Sequence, residues 1–306
     1  MRKRNISKPQ INTDEHRFRE RPKAEGCRLK VGESLSAPSV FSLRSSASYP
    51  CSSVFICGFL VFLIGCANKD AALLTQSKEA LGQKQFDQAQ AKADEYLQKH
   101  PREEGSAEAL YLRGRALEAK PAASAAAAAA NLQGARSAYI SALAAQPNKK
   151  TESYIHTSLG NVAFFQDDYT TAMQQWTTAF DQLDRDDLKS WVLYRIGLSQ
   201  QRLGQFAPAD QTFARVQKEF AGTIPAQRSK ERQGARQFYV QLATFRAAAS
   251  ADAAANDVRK AGLTPIRLTD SKGYNLLRVG PFRTYMEAKQ QRARFADKYP
   301  DALILP

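Results

Sequence analysis

Cysteine is scarce in this 306-residue chain, and all four cysteines lie within the first 66 residues. They have no metal-ligand spacing, which argues against a zinc site or a disulfide framework in the rest of the chain. The three histidines have no matching serine or cysteine arrangement, and no phosphate-binding loop is found. The paired aspartates at 167–168 and 186–187 have the sequence context of hairpin loops. We therefore expect a protein that is not an enzyme and uses no metal or cofactor.

Long apolar runs are also rare, and the conspicuous one is VFICGFLVFLIG at residues 54–65. It is too short to span a bilayer comfortably but suits the core of a signal peptide. The run leads into Leu63-Ile64-Gly65-Cys66, which resembles a bacterial lipobox. In that motif the cysteine thiol is acylated, and the small residue before it lets the chain enter the signal peptidase. An uncleaved anchor or a buried strand is the alternative interpretation.

These features predict the organisation of the N-terminal part. Residues 1–65 are expected to be a disordered extension plus a lipoprotein signal peptide, and residues 66–70 a tether anchored in the membrane by lipid on Cys66. Because a 65-residue leader is unusually long, we expect translation to start downstream, near Leu43 and Arg44. The residues after the cysteine, Ala67 and Asn68, include no aspartate and resemble those of lipoproteins passed to the outer membrane, facing the periplasm.

The net charge of +14 is unevenly distributed. From residue 236 onward there are 12 Lys and Arg against 6 Asp and Glu, and the leader has a similar excess, so the middle of the chain is nearly neutral. A basic C-terminal region suits anionic partners, which include nucleic acid, phospholipid headgroups and cell-wall polymers. Charge alone does not choose among them.

A repeated pattern of small and bulky residues runs through residues 71–220. The three recurring series are Ala89, Ala135, Ala172 and Ala209; then Ala93, Tyr139, Trp176 and Phe213; then Tyr96, Ala142, Ala179 and Val216. The pattern resembles that of tetratricopeptide (TPR) repeats, in which small residues let paired helices cross closely and aromatic residues fill the gap. It predicts an all-α solenoid of four helical hairpins, with an ordinary helical bundle as the alternative.

Such an array would offer an extended surface to a protein partner, whose identity the sequence does not give. Four side chains are expected to fill the core rather than to contact that partner: Tyr154, His156, Trp176 and Trp191. Residues 221–235 include Gly222, Pro225 and several charges, and are expected to form a linker or a short capping helix.

The C-terminal residues 236–306 have the pattern strand, helix, strand, strand, helix, strand. Alternation in FYVQLATF (238–245) places Phe238, Val240 and Leu242 on one side and Tyr239, Gln241 and Ala243 on the other. Likewise, Leu277 and Val279 share one side of the third strand, opposite Tyr274, Leu276 and Arg278. Helices are predicted at 247–261, ending before Gly262, and at 284–299, capped by Thr284 after a Gly280-Pro281 turn. Two helices cover one face of such an antiparallel sheet and leave the other open.

This region resembles the SPOR (sporulation-related repeat) domain, a βαββαβ module of bacterial envelope proteins. The likeness lies in Tyr239-Val240-Gln241-Leu242 with Phe245, in Arg278-Val279-Gly280-Pro281-Phe282, and in Ala288. It implies binding of septal peptidoglycan, in particular of glycan strands stripped of stem peptides, along the open sheet face. The implied contacts are Tyr239, Gln241, Thr244, Tyr274 and Arg278. Family members often have a basic residue two positions before Arg278, where this chain has Leu276.

Three functions compete at this point. The first is a lipid-anchored protein that binds peptidoglycan glycan and recruits a protein partner through the repeats. The second is an interaction scaffold of envelope assembly, in which the C-terminal module only localises the protein. The third is RNA binding, because aromatic residues on an open basic sheet also recognise RNA; export from the cytoplasm argues against nucleic acid as a partner.

Overall fold

The computed structural model describes residues 70–103 and 105–306. The predicted signal peptide and Cys66 lie outside the described residues. Within these ranges an all-α array is followed by an α+β module with a four-stranded antiparallel sheet, which confirms the predicted fold class. No helix in the same two ranges is both long and apolar enough to cross a bilayer.

The array consists of four helical hairpins followed by a short helix. The hairpins pair α1 (residues 70–82) with α2 (Phe86–Lys99), α3 (Ser106–Ala119) with α4 (Ala125–Ala144), α5 (Lys149–Phe165) with α6 (Tyr169–Phe180), and α7 (Asp186–Arg202) with α8 (Phe206–Glu219). The short helix α9 spans Ile224–Arg232 and packs on α8 and α7. The predicted hairpin pattern is therefore confirmed.

Local sequence explains where several of these helices begin. The side chains of Ser124, Asn148 and Asp168 each accept a hydrogen bond from the backbone N–H three residues later, at 3.1, 2.9 and 3.0 Å. Such N-caps satisfy amides that have no partner inside the helix. The α5–α6 turn also holds Asp167 at a φ of 62°, a left-handed conformation that aspartate tolerates better than most residues.

The hairpins pack by placing an aromatic ring against a glycine of the opposite helix. A Cβ built on Gly114, Gly160 or Gly197 would overlap the ring of Tyr139, Trp176 or Phe213, respectively. All three rings are fully buried, as are the alanines of the repeat pattern. Small residues thus permit the close crossing and aromatic residues fill it, which is the packing that the repeat pattern predicts.

The C-terminal module contains strands β1 (Phe238–Phe245), β2 (Pro265–Thr269), β3 (Asn275–Phe282) and β4 (Leu303–Leu305), with helices α10 (Ala248–Lys260) and α11 (Tyr285–Arg294). The strand order is β2-β3-β1-β4, and every neighbouring pair is antiparallel. The two long strands, β1 and β3, therefore form the centre of the sheet.

Two details of this module differ from expectation. The second helix ends at Arg294 instead of residue 299, although Thr284 caps it as predicted, accepting from the Glu287 backbone N–H at 3.2 Å. Gly280 and Pro281 do not form a turn, because β3 continues through them to Phe282 with a register shift against β1. This bulge keeps the chain paired up to the start of α11.

A glycine substitution tests the hairpin packing. Gly160→Ala should lower the free energy of unfolding by about 1–3 kcal/mol, because the new methyl group overlaps the buried Trp176 ring. Gly82→Ala is the matched control, since nothing lies within 4 Å of its Cβ position. It should leave stability unchanged or raise it by less than about 1 kcal/mol. Urea unfolding measures both, and equal effects would contradict the proposed crossing geometry.

Candidate functional site

The sheet has two unlike faces. The inner face, which α10 and α11 cover, carries Val240 and Leu242 of β1 with Leu277 and Val279 of β3, all buried. The open face is the opposite side. Since side chains alternate along a strand and directly paired residues share a face, the register determines which residues lie there.

The open face is defined by nine residues of the four strands, three of them from β1. Its members are Ile266 and Leu268 of β2; Leu276 and Arg278 of β3; Tyr239, Gln241 and Thr244 of β1; and Leu303 and Leu305 of β4. None of them is buried, and Leu268 is 42% exposed. The four residues of the edge strands β2 and β4 are all apolar, and sequence patterning did not identify them as members of this surface.

A bulge in β1 places Thr244 on the open face. Strict alternation would put Thr244 on the inner side with Leu242, and Ala243 on the open side. The register shifts between Gln241 and Ala243, so that Ala243 pairs with the buried Leu277 and Thr244 pairs with Leu276. The assignment of Ala243 to the open side was therefore wrong, because the extra residue reverses the alternation.

The centre of the open face is a row of polar groups. Gln241 and Arg278 are directly paired across β1 and β3. The Arg278 Nε–H donates to the side-chain carbonyl oxygen of Gln241 at 3.1 Å. The Gln241 amide nitrogen lies 3.4 Å from the Thr244 hydroxyl. The terminal nitrogens of Arg278 make no hydrogen bond or ion pair with any of the described residues. The row thus has guanidinium donors left for a ligand.

Tyrosines lie towards the two ends of this row. Tyr239 is beside Gly280, and its hydroxyl bonds with the Gln237 side chain. Tyr274 precedes β3, in a turn where its backbone N–H donates to Asp270 at 2.8 Å and its ring centroid lies 6.0 Å from the Arg246 guanidinium. Tyr274 precedes Arg278 by four residues, which along a strand corresponds to a distance of about 13 Å. The structure brings Gln241, Thr244 and Arg278 together and places Tyr274 at the margin.

The helical array contacts the module from its inner side. Phe238 of β1 and Tyr285 of α11 face array residues Phe206 and Tyr169, with ring centroids 5.7 and 6.2 Å apart, respectively. Phe238 lies on the same side of β1 as the buried Val240. Contact with the array therefore leaves the open face accessible.

The array has a polar row of its own. Glu118 of α3 accepts from the Tyr139 hydroxyl at 2.6 Å and from the Asn161 amide at 3.2 Å, and Asn161 in turn accepts from Arg195 of α7. Burial raises the pKa of Tyr139 and lowers the pKa of Arg195 to about 10, because desolvation disfavours their charged forms. The row links three consecutive hairpins.

Comparison with known proteins identifies the C-terminal module. Residues 234–306 match the family model of the SPOR domain, so the chain carries this domain at its C-terminal end. No curated protein matches the chain. Among solved structures, the chain is similar to "MamA protein" at 14% identity and a TM-score of 0.42, covering 56% of this chain and 85% of that one. It is also similar to "YrrB: a TPR protein with an unusual peptide-binding site", at 16% identity and a TM-score of 0.40, covering 53% and 78%.

The SPOR match has a functional implication. It implies that the C-terminal module binds peptidoglycan and that the protein works in the cell envelope. SPOR domains and helical-hairpin arrays are generally binding modules without catalytic activity. Across residues 70–103 and 105–306, no group of three or more His, Cys, Asp or Glu residues is arranged to hold a metal ion.

Gly280 provides a test of the site's geometry. Its φ is +137°, and a Cβ there would lie 2.9 Å from Tyr239 Cδ1 and 3.0 Å from the Phe238 carbonyl oxygen. Gly280→Ala should therefore destabilise the protein by about 1–3 kcal/mol and displace the Tyr239 ring, measured by urea unfolding and by NMR shifts of Tyr239.

Gly273→Ala serves as the control, because Gly273 also has a positive φ, +81°, but nothing lies within 4 Å of its Cβ position. It should cost less stability and leave the Tyr239 signals in place. Unchanged Tyr239 signals in Gly280→Ala would contradict the close approach.

Proposed function

We propose that this protein is a non-enzymatic, lipid-anchored component of the bacterial cell envelope. Its open sheet face binds peptidoglycan glycan strands at the division septum, and its helical array recruits a protein partner. Tyr239, Gln241, Thr244, Tyr274 and Arg278 contact the glycan. Lipid on Cys66 holds the protein in the outer membrane, facing the periplasm.

The arrangement of the open face is the observation that carries the proposal. Gln241, Thr244 and Arg278 form a continuous polar row, and tyrosines lie towards its ends. Sugar rings have apolar faces and polar edges, so a glycan reader needs aromatic or aliphatic platforms beside amide and guanidinium donors. The open face has both kinds of group side by side.

The chemistry of the row suits a strand from which stem peptides have been removed. Removal of the peptide leaves a carboxylate on the glycan, and a guanidinium is the side chain best shaped to bind a carboxylate with two hydrogen bonds. Arg278 has its terminal nitrogens available for this contact, while its Nε–H is held by Gln241. The Gln241 bond orients the guanidinium and leaves its terminal nitrogens for the ligand.

A second candidate function is a scaffold in which the array provides the main activity and the SPOR domain localises it. The observation that favours it is the size of the array, which occupies most of the described residues and presents an extended helical surface. In cells, a binding-deficient SPOR face tests whether the array keeps its partner without the glycan contact. A scaffold would lose its septal position and keep its partner, as measured by fluorescence microscopy and co-purification.

Binding to purified sacculi tests the glycan site. Arg278→Ala should weaken retention of the protein purified without its lipid by about tenfold or more, because a charge-assisted hydrogen bond contributes about 1.5–3 kcal/mol. Amidase treatment of the sacculi, which strips the stem peptides, should increase binding of the unmodified protein. Co-sedimentation measures both effects.

Arg259→Ala is the matched control, since Arg259 is an exposed arginine on α10, the helix on the inner side of the sheet. It removes the same charge and should leave retention within about twofold. Equal losses in the two variants would indicate general charge attraction and count against a site on the open face. No retention of the unmodified protein would reject the glycan function.

Leu276 gives a test in the opposite direction. It lies on the open face, paired with Thr244 and two residues from Arg278. Leu276→Lys introduces the basic residue common in SPOR domains at this position and should strengthen retention on amidase-treated sacculi several-fold, with greater sensitivity to salt. Met286→Lys, at an exposed position of α11, adds the same charge on the inner side as a control. Weaker retention of Leu276→Lys would mean that this position contacts the ligand through its apolar surface.

A further inference from the structure

We propose that the SPOR domain has a second role as the C-terminal cap of the helical array, so that the last two hairpins and the sheet fold as one cooperative unit. This inference does not depend on glycan binding. A stack of hairpins ends in a surface that the next repeat would otherwise cover, and solenoids need a capping element there. The short helix α9 covers part of that end by packing on α8 and α7, and the inner side of the SPOR domain covers the adjoining turns of hairpins three and four.

Arg202, the last residue of α7, lies at the centre of the contact. Its guanidinium carbon is 4.1 Å from the ring centroid of Tyr285 in the SPOR domain, and 4.5 and 5.2 Å from those of Phe164 and Tyr169 in the array. Arg202 also donates to the Tyr169 hydroxyl at 3.1 Å. A guanidinium among three rings binds them together by cation–π attraction, which strengthens as water is excluded.

Aromatic packing continues from this point into the sheet. The Tyr285 ring meets Tyr169 and Phe238 edge-on, with centroids 6.2 and 6.0 Å apart, and Phe238 lies against Phe206 of α8 at 5.7 Å. Tyr285 is 7% exposed, Phe238 is 2% exposed and Tyr169 is 1% exposed. These rings reach burial typical of a protein core at the junction of two modules, which distinguishes the contact from a loose association.

Polar and backbone contacts surround the rings. Lys289 of α11 forms an ion pair with Asp167 in the α5–α6 turn. A Cβ on Gly204, in the α7–α8 turn, would lie 2.9 Å from the Arg283 carbonyl oxygen, so the two backbones approach closely. The two turns at this end of hairpins three and four therefore both face the SPOR domain.

The connection between the modules is also held in place. Asp210 of α8 accepts from the Gly234 backbone N–H at 2.8 Å and from Arg236 at 2.6 Å. The buried Gln201 amide donates to the Arg232 carbonyl at 2.9 Å. Residues on both sides of the junction are thus bonded to the last hairpin.

The buried hydrophobic clusters also join the end of the array to the sheet. One hydrophobic cluster runs from Ala163 through hairpins three and four into the sheet and ends at Ala302. A second cluster joins hairpin one to α3, and a third joins α4 to α5, the first helix of hairpin three. The core therefore predicts that loosening the cap will loosen hairpins three and four before it affects hairpin one.

Hydrogen exchange on the full chain tests this. Tyr285→Ala should accelerate amide exchange in α6, α7 and α8 by about tenfold or more, while α2 in hairpin one keeps its protection and serves as an internal control. Tyr285→Phe retains the ring and should stay within about twofold of the unmodified protein. Met286→Ala, at the exposed neighbouring position, should do the same.

Acceleration confined to residues 238–306 in Tyr285→Ala would overturn the proposal. If that variant fails to fold, charge reversal of the ion pair replaces it. Asp167→Lys and Lys289→Asp should each accelerate exchange in α6 to α8, and the double variant should restore protection, because only the pairing across the junction is regained. Single variants without effect on α6 to α8, or a double variant that fails to restore the protection that the singles lose, would also overturn it.

Discussion

The one-sided cover of the sheet is the constraint on which the other features depend. Helices α10 and α11 lie on the same side, so Val240 and Val279 are fully buried while Gln241 and Arg278, their neighbours in sequence, face outward. Burial of these apolar side chains provides most of the stabilisation of such a small module. The one-sided cover also determines where the array binds, because the array contacts the inner side of the module, where α10 and α11 lie.

The same side of the module therefore serves folding and docking, and the other side is left for a ligand. Phe238 shows this most directly, since it begins the buried row of β1 and also packs on Phe206 of the array. Because docking uses the inner side, it does not compete with the open face. A ligand bound to the open face would be held in a fixed orientation relative to the helical hairpins.

Periodic features of this fold could be predicted from the sequence, and irregular ones could not. The alanine and aromatic series identified the hairpin core because its spacing repeats, and Trp176 lies against Gly160 as that spacing requires. Alternation gave the faces of both central strands but misplaced Ala243, because a bulge adds one residue to β1. Thr244 was predicted as a ligand contact from the family resemblance alone. The contact between Arg202 and Tyr285 joins residues far apart in sequence, and no local pattern signals it.

The composition of the open face suggests how its recognition would work. Arg278 is the one charged residue among the nine that define it, and Leu276 occupies the position where SPOR domains often have a second basic side chain. The edge strands add Ile266, Leu268, Leu303 and Leu305, so most of this surface is apolar. In the proposed function, the sugar rings would contact broad aliphatic and aromatic surface, while a single guanidinium, oriented by Gln241, sets the register of the strand. Charge attraction would then contribute less to affinity than in a domain with two basic residues, and the fit of ring faces would contribute more.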